Sequence, residues 1–162
     1  MLRKLFHSYK WRKLRVCIWK KRLHRQIQIL SRRYSPAIPC QLHVTSGPFY
    51  GGSVLVDRQC RRATLFIHIS YDRYLSSDER LVISRYSIKK NDLPYFILYH
   101  EFFHLLDTLD YLQKHHKKNL GTYQAALKAA VQQATNYRNL DVEQRADDFA
   151  YQEYVKQRKK AG

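Results

Sequence analysis

Cysteine is scarce in this chain, and acid is short beside its basic residues, 13 Asp and Glu against 30 Lys and Arg; each shortage excludes something. Cys17, Cys40 and Cys60 are odd in number and show no CxxC spacing, so neither a disulfide scaffold nor a thiolate zinc site is indicated. That usage reads as a reduced, intracellular protein, and the expected location is cytoplasmic. No uninterrupted apolar run approaches the roughly 18 residues needed to span a bilayer. Charges interrupt the N-terminus too often for a secretory h-region; it is basic and acid-poor like a transit peptide but not Ser-rich, so targeting is not the first expectation. There is no internal repeat, and no low-complexity segment apart from the charge-biased ends. What is present, 162 residues with 44% hydrophobic and 14% aromatic content, fits one domain with a genuine core and argues against disorder.

The shortage of acid is lopsided. No Asp or Glu precedes Asp57, while residues 1–34 carry twelve of the 30 Lys and Arg in a chain of net charge +17. Val16, Trp19, Leu23, Ile27 and Leu30 recur at spacings of three and four, with Leu2, Phe6 and Tyr9 extending the stripe less regularly. That spacing predicts an amphipathic helix with a basic opposite face. It should stop near Ser35-Pro36, because the residue before proline is pushed out of the helical region. A basic face of this kind suits nucleic-acid phosphates, through residues 1–34; an anionic membrane surface ranks below that, beside an acidic protein partner. The plain alternative is a helix packed on the domain with its basic face in solvent.

The middle of the chain predicts a small sheet. Cys40 to Ser46 alternates, Gly47-Pro48 and Gly51-Gly52 mark a turn, and Ser53 to Asp57 and Ala63 to Ser70 are rich in β-branched and aromatic residues. Arg61-Arg62 reads as a hairpin turn and Leu81 to Ser84 as a further short strand. Asn91 or Asp92 then caps a helix with Pro94 in its first turn, running to about Gln113. His115 to Lys118 and Gly121 end it. A helix from Gln124 to about Tyr137 follows, and Asp141 opens a last one through about Lys156, with Asp141 and Gln144 spaced as in a capping box.

His100-Glu101-Phe102-Phe103-His104 is an HExxH run inside the most apolar stretch of the chain. At helical pitch the two imidazoles share one face, and the carboxylate of Glu101 can reach a water held between them. Tyr95 to Tyr99 precede the motif and Phe102, Phe103, Leu105, Leu106 and Leu109 surround it, so the helix should be buried. Two imidazoles and a carboxylate buried with nothing to satisfy them would cost several kcal/mol, whereas a bound cation turns all three into an asset.

A catalytic zinc takes three protein ligands and keeps a position for water, so HExxH leaves one to find. Glu143 is the choice, at the start of Glu143-Gln144-Arg145-Ala146-Asp147-Asp148-Phe149-Ala150. Asp147 lies one turn on and faces the same way, where it could accept a hydrogen bond from the far nitrogen of a ligating histidine. Ala146 and Ala150 are small enough for close packing on the HExxH helix. His115 or His116 would complete an all-histidine site if the chain turned back at once. Asp110 would require the helix to break at Asp107, where it should continue. His7, His24, His43 and His68 have no ligand spacing.

HEFFH followed by EQRADDFA resembles the gluzincin pattern, in which a downstream ExxAD or ExxAN helix supplies a glutamate ligand. It is most similar to the ImmA/IrrE-type metallopeptidases, over about residues 80–155. The resemblance implies an α+β, minimal zincin-like fold. In it a small, mostly antiparallel sheet packs on the HExxH helix and C-terminal helices, and the basic N-terminal helix lies outside. Residues 36–162 would then be the metallopeptidase domain, and residues 1–35 a basic helix or extension. By the same likeness His100, His104 and Glu143 bind zinc, Glu101 is the base and Asp147 supports the site; several family members act on transcriptional repressors. Phe103 stands where the family often has a small residue, and the 38 residues between His104 and Glu143 are on the long side. Leu81 to His104 also looks like SprT-type DNA-associated proteases, whose third ligand is a histidine.

The mechanism expected of such a site is metal-assisted hydrolysis. Zinc lowers the pKa of bound water from about 15.7 to near 7, and Glu101 takes its proton and passes it to the leaving amine. The function expected first is an intracellular zinc endopeptidase acting on a protein partner such as a repressor or DNA-bound protein. Second comes a nucleic-acid-associated, SprT-like protease or DNA-binding protein using the zinc fold as scaffold. Third is a hydrolase of another bond, or an interaction module.

Overall fold

The computed structural model describes residues 2–71, 74–115 and 120–159, with backbone alone over residues 2–10. The chain is α+β: helix α1 (Leu2–Tyr34), strands β1 (Cys40–Gly47), β2 (Gly51–Val56) and β3 (Ala63–Ser70), then helices α2 (Ser77–Arg85), α3 (Leu93–Lys114), α4 (Leu120–Gln133) and α5 (Asp141–Lys159). No helix among the described residues is long and apolar enough to cross a membrane.

α1 follows its sequence period. Trp19, Leu23, Ile27 and Leu30 are buried and share one core with Leu65, Ile67, Leu98 and Phe102, so the helix lies on β1 and α3. It ends where proline requires: Ser35, before Pro36, turns into the left-handed region at φ 44° while its N–H still bonds Ser31. Leu2, Phe6 and Tyr9 have side chains outside the described set. At its C-terminal end the helix is tied to α5 by a buried carboxylate. Glu153 accepts from Tyr34 Oη at 2.7 Å and Lys156 Nζ at 2.7 Å and pairs with Arg33.

The sheet is mixed, not mostly antiparallel. Its order is β1-β3-β2, with β1 parallel and β2 antiparallel to the central β3. Residues two apart share a face of a strand, so Ala63, Leu65, Ile67 and Ile69 of β3 all enter the core. Gly51 and Gly52, expected as turn residues, instead begin β2. The hairpin turn before β3 spans Asp57 to Arg62, with the Asp57 carboxylate accepting from the Arg61 N–H at 2.7 Å.

Four other expectations change. Leu81 to Ser84 is helical, within α2, because a capping box at Ser76 starts a helix just upstream. Ser76 Oγ accepts the Glu79 N–H and the Glu79 carboxylate bonds back to the Ser76 N–H. Asp92 precedes α3 but caps nothing, its carboxylate being taken by Tyr154 Oη at 3.0 Å; Pro94 does stand in the first turn. α4 begins at Leu120, so Gly121 lies inside it, and it stops four residues short of Tyr137. No box forms at Asp141: its carboxylate binds Arg145, and the Gln144 amide reaches the Asn139 carbonyl.

α3 runs through the middle, packed by the sheet, by α1 and by α5. Ala146 and Ala150 of α5 are fully buried, and their small side chains let α5 lie close along α3. That approach positions the site.

Candidate metal centre

One turn of α3 separates His100 from His104, and their Nε2 atoms face each other at 3.0 Å. Glu143, in the first turn of α5, reaches both: Oε2 lies 3.2 Å from His100 Nε2 and Oε1 lies 3.4 Å from His104 Nε2. A tetrahedral ion held at the roughly 2.0–2.1 Å bond lengths of zinc would separate its donors by about 3.3 Å. The three side chains therefore match that cage in donor type and in spacing. Among the described residues they form a group able to offer three donors to one cation.

Behind the pair, Asp147 Oδ1 lies 2.9 Å from His100 Nδ1. Nδ1–H donating to that carboxylate leaves Nε2 with its lone pair toward the centre, the tautomer a ligand needs. Arg138, just before α5, donates to the same oxygen at 2.9 Å, so Asp147 is held from two sides while buried. Sequence reading missed Arg138, because a lone arginine in a connecting segment has no spacing to mark it.

Glu101 faces the sheet side. It is 8% exposed and packed against β2 so tightly that a Cβ at Gly52 would lie 2.6 Å from its Oε1 and 2.8 Å from its Cδ. No described glycine has positive φ, so position 52 needs glycine for space and not for conformation. The turn-like doublet Gly51-Gly52 was the one sequence signal here, and it pointed elsewhere.

Burial sets the titration of these groups, and their neighbours modify it. Burial disfavours charge on His100, but hydrogen bonds to Asp147 and Glu143 outweigh it and raise its pKa to about 9. Burial and then the positive charge of His100 lower His104 to about 4. The two rings thus share one proton. Glu101 is raised to about 7, chiefly by burial, with Glu143 adding to it and His100 and Arg138 opposing. Burial would raise Glu143, but its bond to His100 and the nearby charges bring it below the usual carboxylate range.

The centre opens into a cleft of about 500 Å³. Gly51 to Val54 form one wall; Tyr123, Leu127 and Val131 of α4 form the other, with Arg138 beside Glu143. The remaining sequence candidates are elsewhere. His115 ends α3, stacked on Tyr111 at 4.4 Å between ring centres, about 16 Å along the axis from His104. His116 lies outside the described residues, as does the side chain of His7. Asp110 pairs with Lys114 at the surface, His68 bonds Thr45, His24 bonds the Lys20 carbonyl and His43 packs on Phe66.

No family model matches the sequence, and no curated protein or solved structure matches the chain.

Proposed function

We propose that this chain is a zinc-dependent endopeptidase with a zincin-like site, in which His100, His104 and Glu143 hold the metal and Glu101 is the general base. The observation that carries this reading is the mutual spacing of the three donors, 3.0, 3.2 and 3.4 Å, drawn from two helices far apart in sequence. When bound, zinc would supply a Lewis acid for the scissile carbonyl and a water acidic enough to lose a proton near neutrality.

The protein residues provide the rest. Glu101, raised to about 7 by burial, can take a proton near neutral pH and hand it to the departing amine. Asp147 keeps His100 in the liganding tautomer, and Arg138 holds Asp147 in place. Arg138 also lines the cleft, which places a positive charge beside Glu143. β2 bonds β3 on one side only, so its outer backbone edge is open to an extended peptide laid along it, past Glu101. The substrate class is therefore protein or peptide. Three free thiols, Cys17 exposed, suit a reducing, cytoplasmic setting.

The test is incubation of zinc-loaded protein with a proteome-derived peptide library, read by mass spectrometry for new termini. New termini should appear with the wild-type chain and vanish with chelator. Glu101→Gln should carry stoichiometric zinc and produce none. Wild-type protein generating no new termini, or Glu101→Gln generating the same set, would remove the proposal.

A further inference from the structure

α1 carries two apolar stripes, and the core uses one. Trp19, Leu23, Ile27 and Leu30 point inward. Trp11, Leu14 and Ile18, at spacings of three and four, form a second stripe that is 59%, 49% and 42% exposed. Ile29, three turns beyond Ile18, returns to the same line and is exposed as well. Around it stand exposed Lys21, Arg22, Arg25 and Arg32, and the chain holds no acid before Asp57.

We propose that this outer face of α1 docks in the plane of an anionic lipid surface. Its chemistry selects among possible occupants. A second copy would bring like charge against like charge, with no carboxylate on either face to relieve it. Nucleic-acid phosphate would satisfy the Lys and Arg but leave Leu14 and Ile18 in water. A bilayer with acidic headgroups answers both halves of the pattern. The aliphatic side chains sink below the headgroups, Trp11 sits at the polar boundary, and the long basic side chains reach back up to phosphate.

A further aromatic pair lies at the same end of the molecule. Arg15 of α1 donates to Tyr50 Oη at 2.7 Å and to the Tyr71 carbonyl, and beside them the exposed Phe49 and Tyr74 pack edge to face at 5.4 Å. Tyr50 also lines the cleft. A docked α1 would therefore hold the rim of the cleft near the lipid, whichever chemistry the metal centre performs.

The experiment is flotation of the full chain with vesicles of phosphatidylcholine alone and of phosphatidylcholine mixed with phosphatidylglycerol, with duplex DNA tested in parallel by gel shift. The wild-type chain should float with the mixed vesicles and stay behind with the neutral ones, and its emission should shift to the blue on binding. Trp11→Phe should lose that shift, since Trp19 is already buried. The double variant Leu14→Gln with Ile18→Gln replaces exposed side chains and should keep the wild-type melting temperature. Its partitioning should fall by at least about tenfold. Failure of the wild-type chain to float, or undiminished binding by the double variant, overturns the proposal. A wild-type gel shift without vesicle binding overturns it in favour of nucleic acid.

Discussion

Gly52→Ala adds a single methyl group and should expose how tightly β2 is fitted to Glu101. Carbon atoms in good contact stand about 3.5–4.0 Å apart. The new Cβ would lie 2.8 Å from Glu101 Cδ and 2.6 Å from Oε1, so the carboxylate must move by about 1 Å or the strand must yield. Overpacking of this kind costs about 1–3 kcal/mol. The backbone itself accepts alanine, because φ at position 52 is negative, and elsewhere such a change stabilises by about 0.5 kcal/mol through the unfolded chain. The sign of the effect should therefore depend on Glu101. In a Glu101→Ala background the three atoms nearest the methyl group are gone, and the loss should vanish or reverse. Denaturant melts of the four proteins give a coupling energy of about 1–3 kcal/mol if the contact is as described. Additive energies within about 0.5 kcal/mol would refute the close approach. On the proposed peptidase reading, Gly52→Ala should keep its zinc yet turn over about 100-fold more slowly, as expected for a base displaced by about 1 Å.

Other outcomes follow from the same geometry. Asp147→Ala should weaken zinc binding by about 10–100-fold in a chelator competition, and unchanged affinity would deny Asp147 its orienting role. In the metal-free chain His100 is raised from 6.5 to about 9, so its contribution to stability is complete below pH 6.5 and is lost as pH climbs through 9. A metal must displace that proton, so zinc affinity should rise by about tenfold per pH unit between pH 7 and 9, with proton uptake by buffer seen calorimetrically. A flat profile would contradict the shared proton. Glu153→Ala should cost about 2 kcal/mol in thermal or denaturant melts by releasing Tyr34, Arg33 and Lys156, and a loss under about 0.5 kcal/mol would show α1 is held by packing alone.

The parts of the fold written in local chemistry were legible. The HExxH run, the Glu143-to-Asp147 turn and the Val16-to-Leu30 stripe each declare a helix face within a few residues, and Ser35-Pro36 declares an end. Pairing is not local. Nothing in Cys40 to Ser46 states that its partner is β3 and that the pairing is parallel, with β2 placed outside; that order depends on which faces the core can cover. Leu81 to Ser84 misleads because three apolar residues in a row suit either state, and the deciding signal, Ser76 with Glu79, lies upstream of them. Gly52 and Arg138 misled or escaped notice for one reason: each matters through a neighbour distant in sequence, and neither belongs to a spacing pattern.

The buried layer formed by Leu23, Leu30, Leu65, Ile67 and Phe102 is continuous without His104 or Glu143, which stand at its border facing the cleft. Cohesion and chemistry thus occupy opposite sides of one helix. On the proposed reading, stripping the ion would silence the chain without melting it, and reloading would require exchange of a proton for a cation and no refolding. Supply of metal would then govern that activity while the amount of folded protein stayed constant.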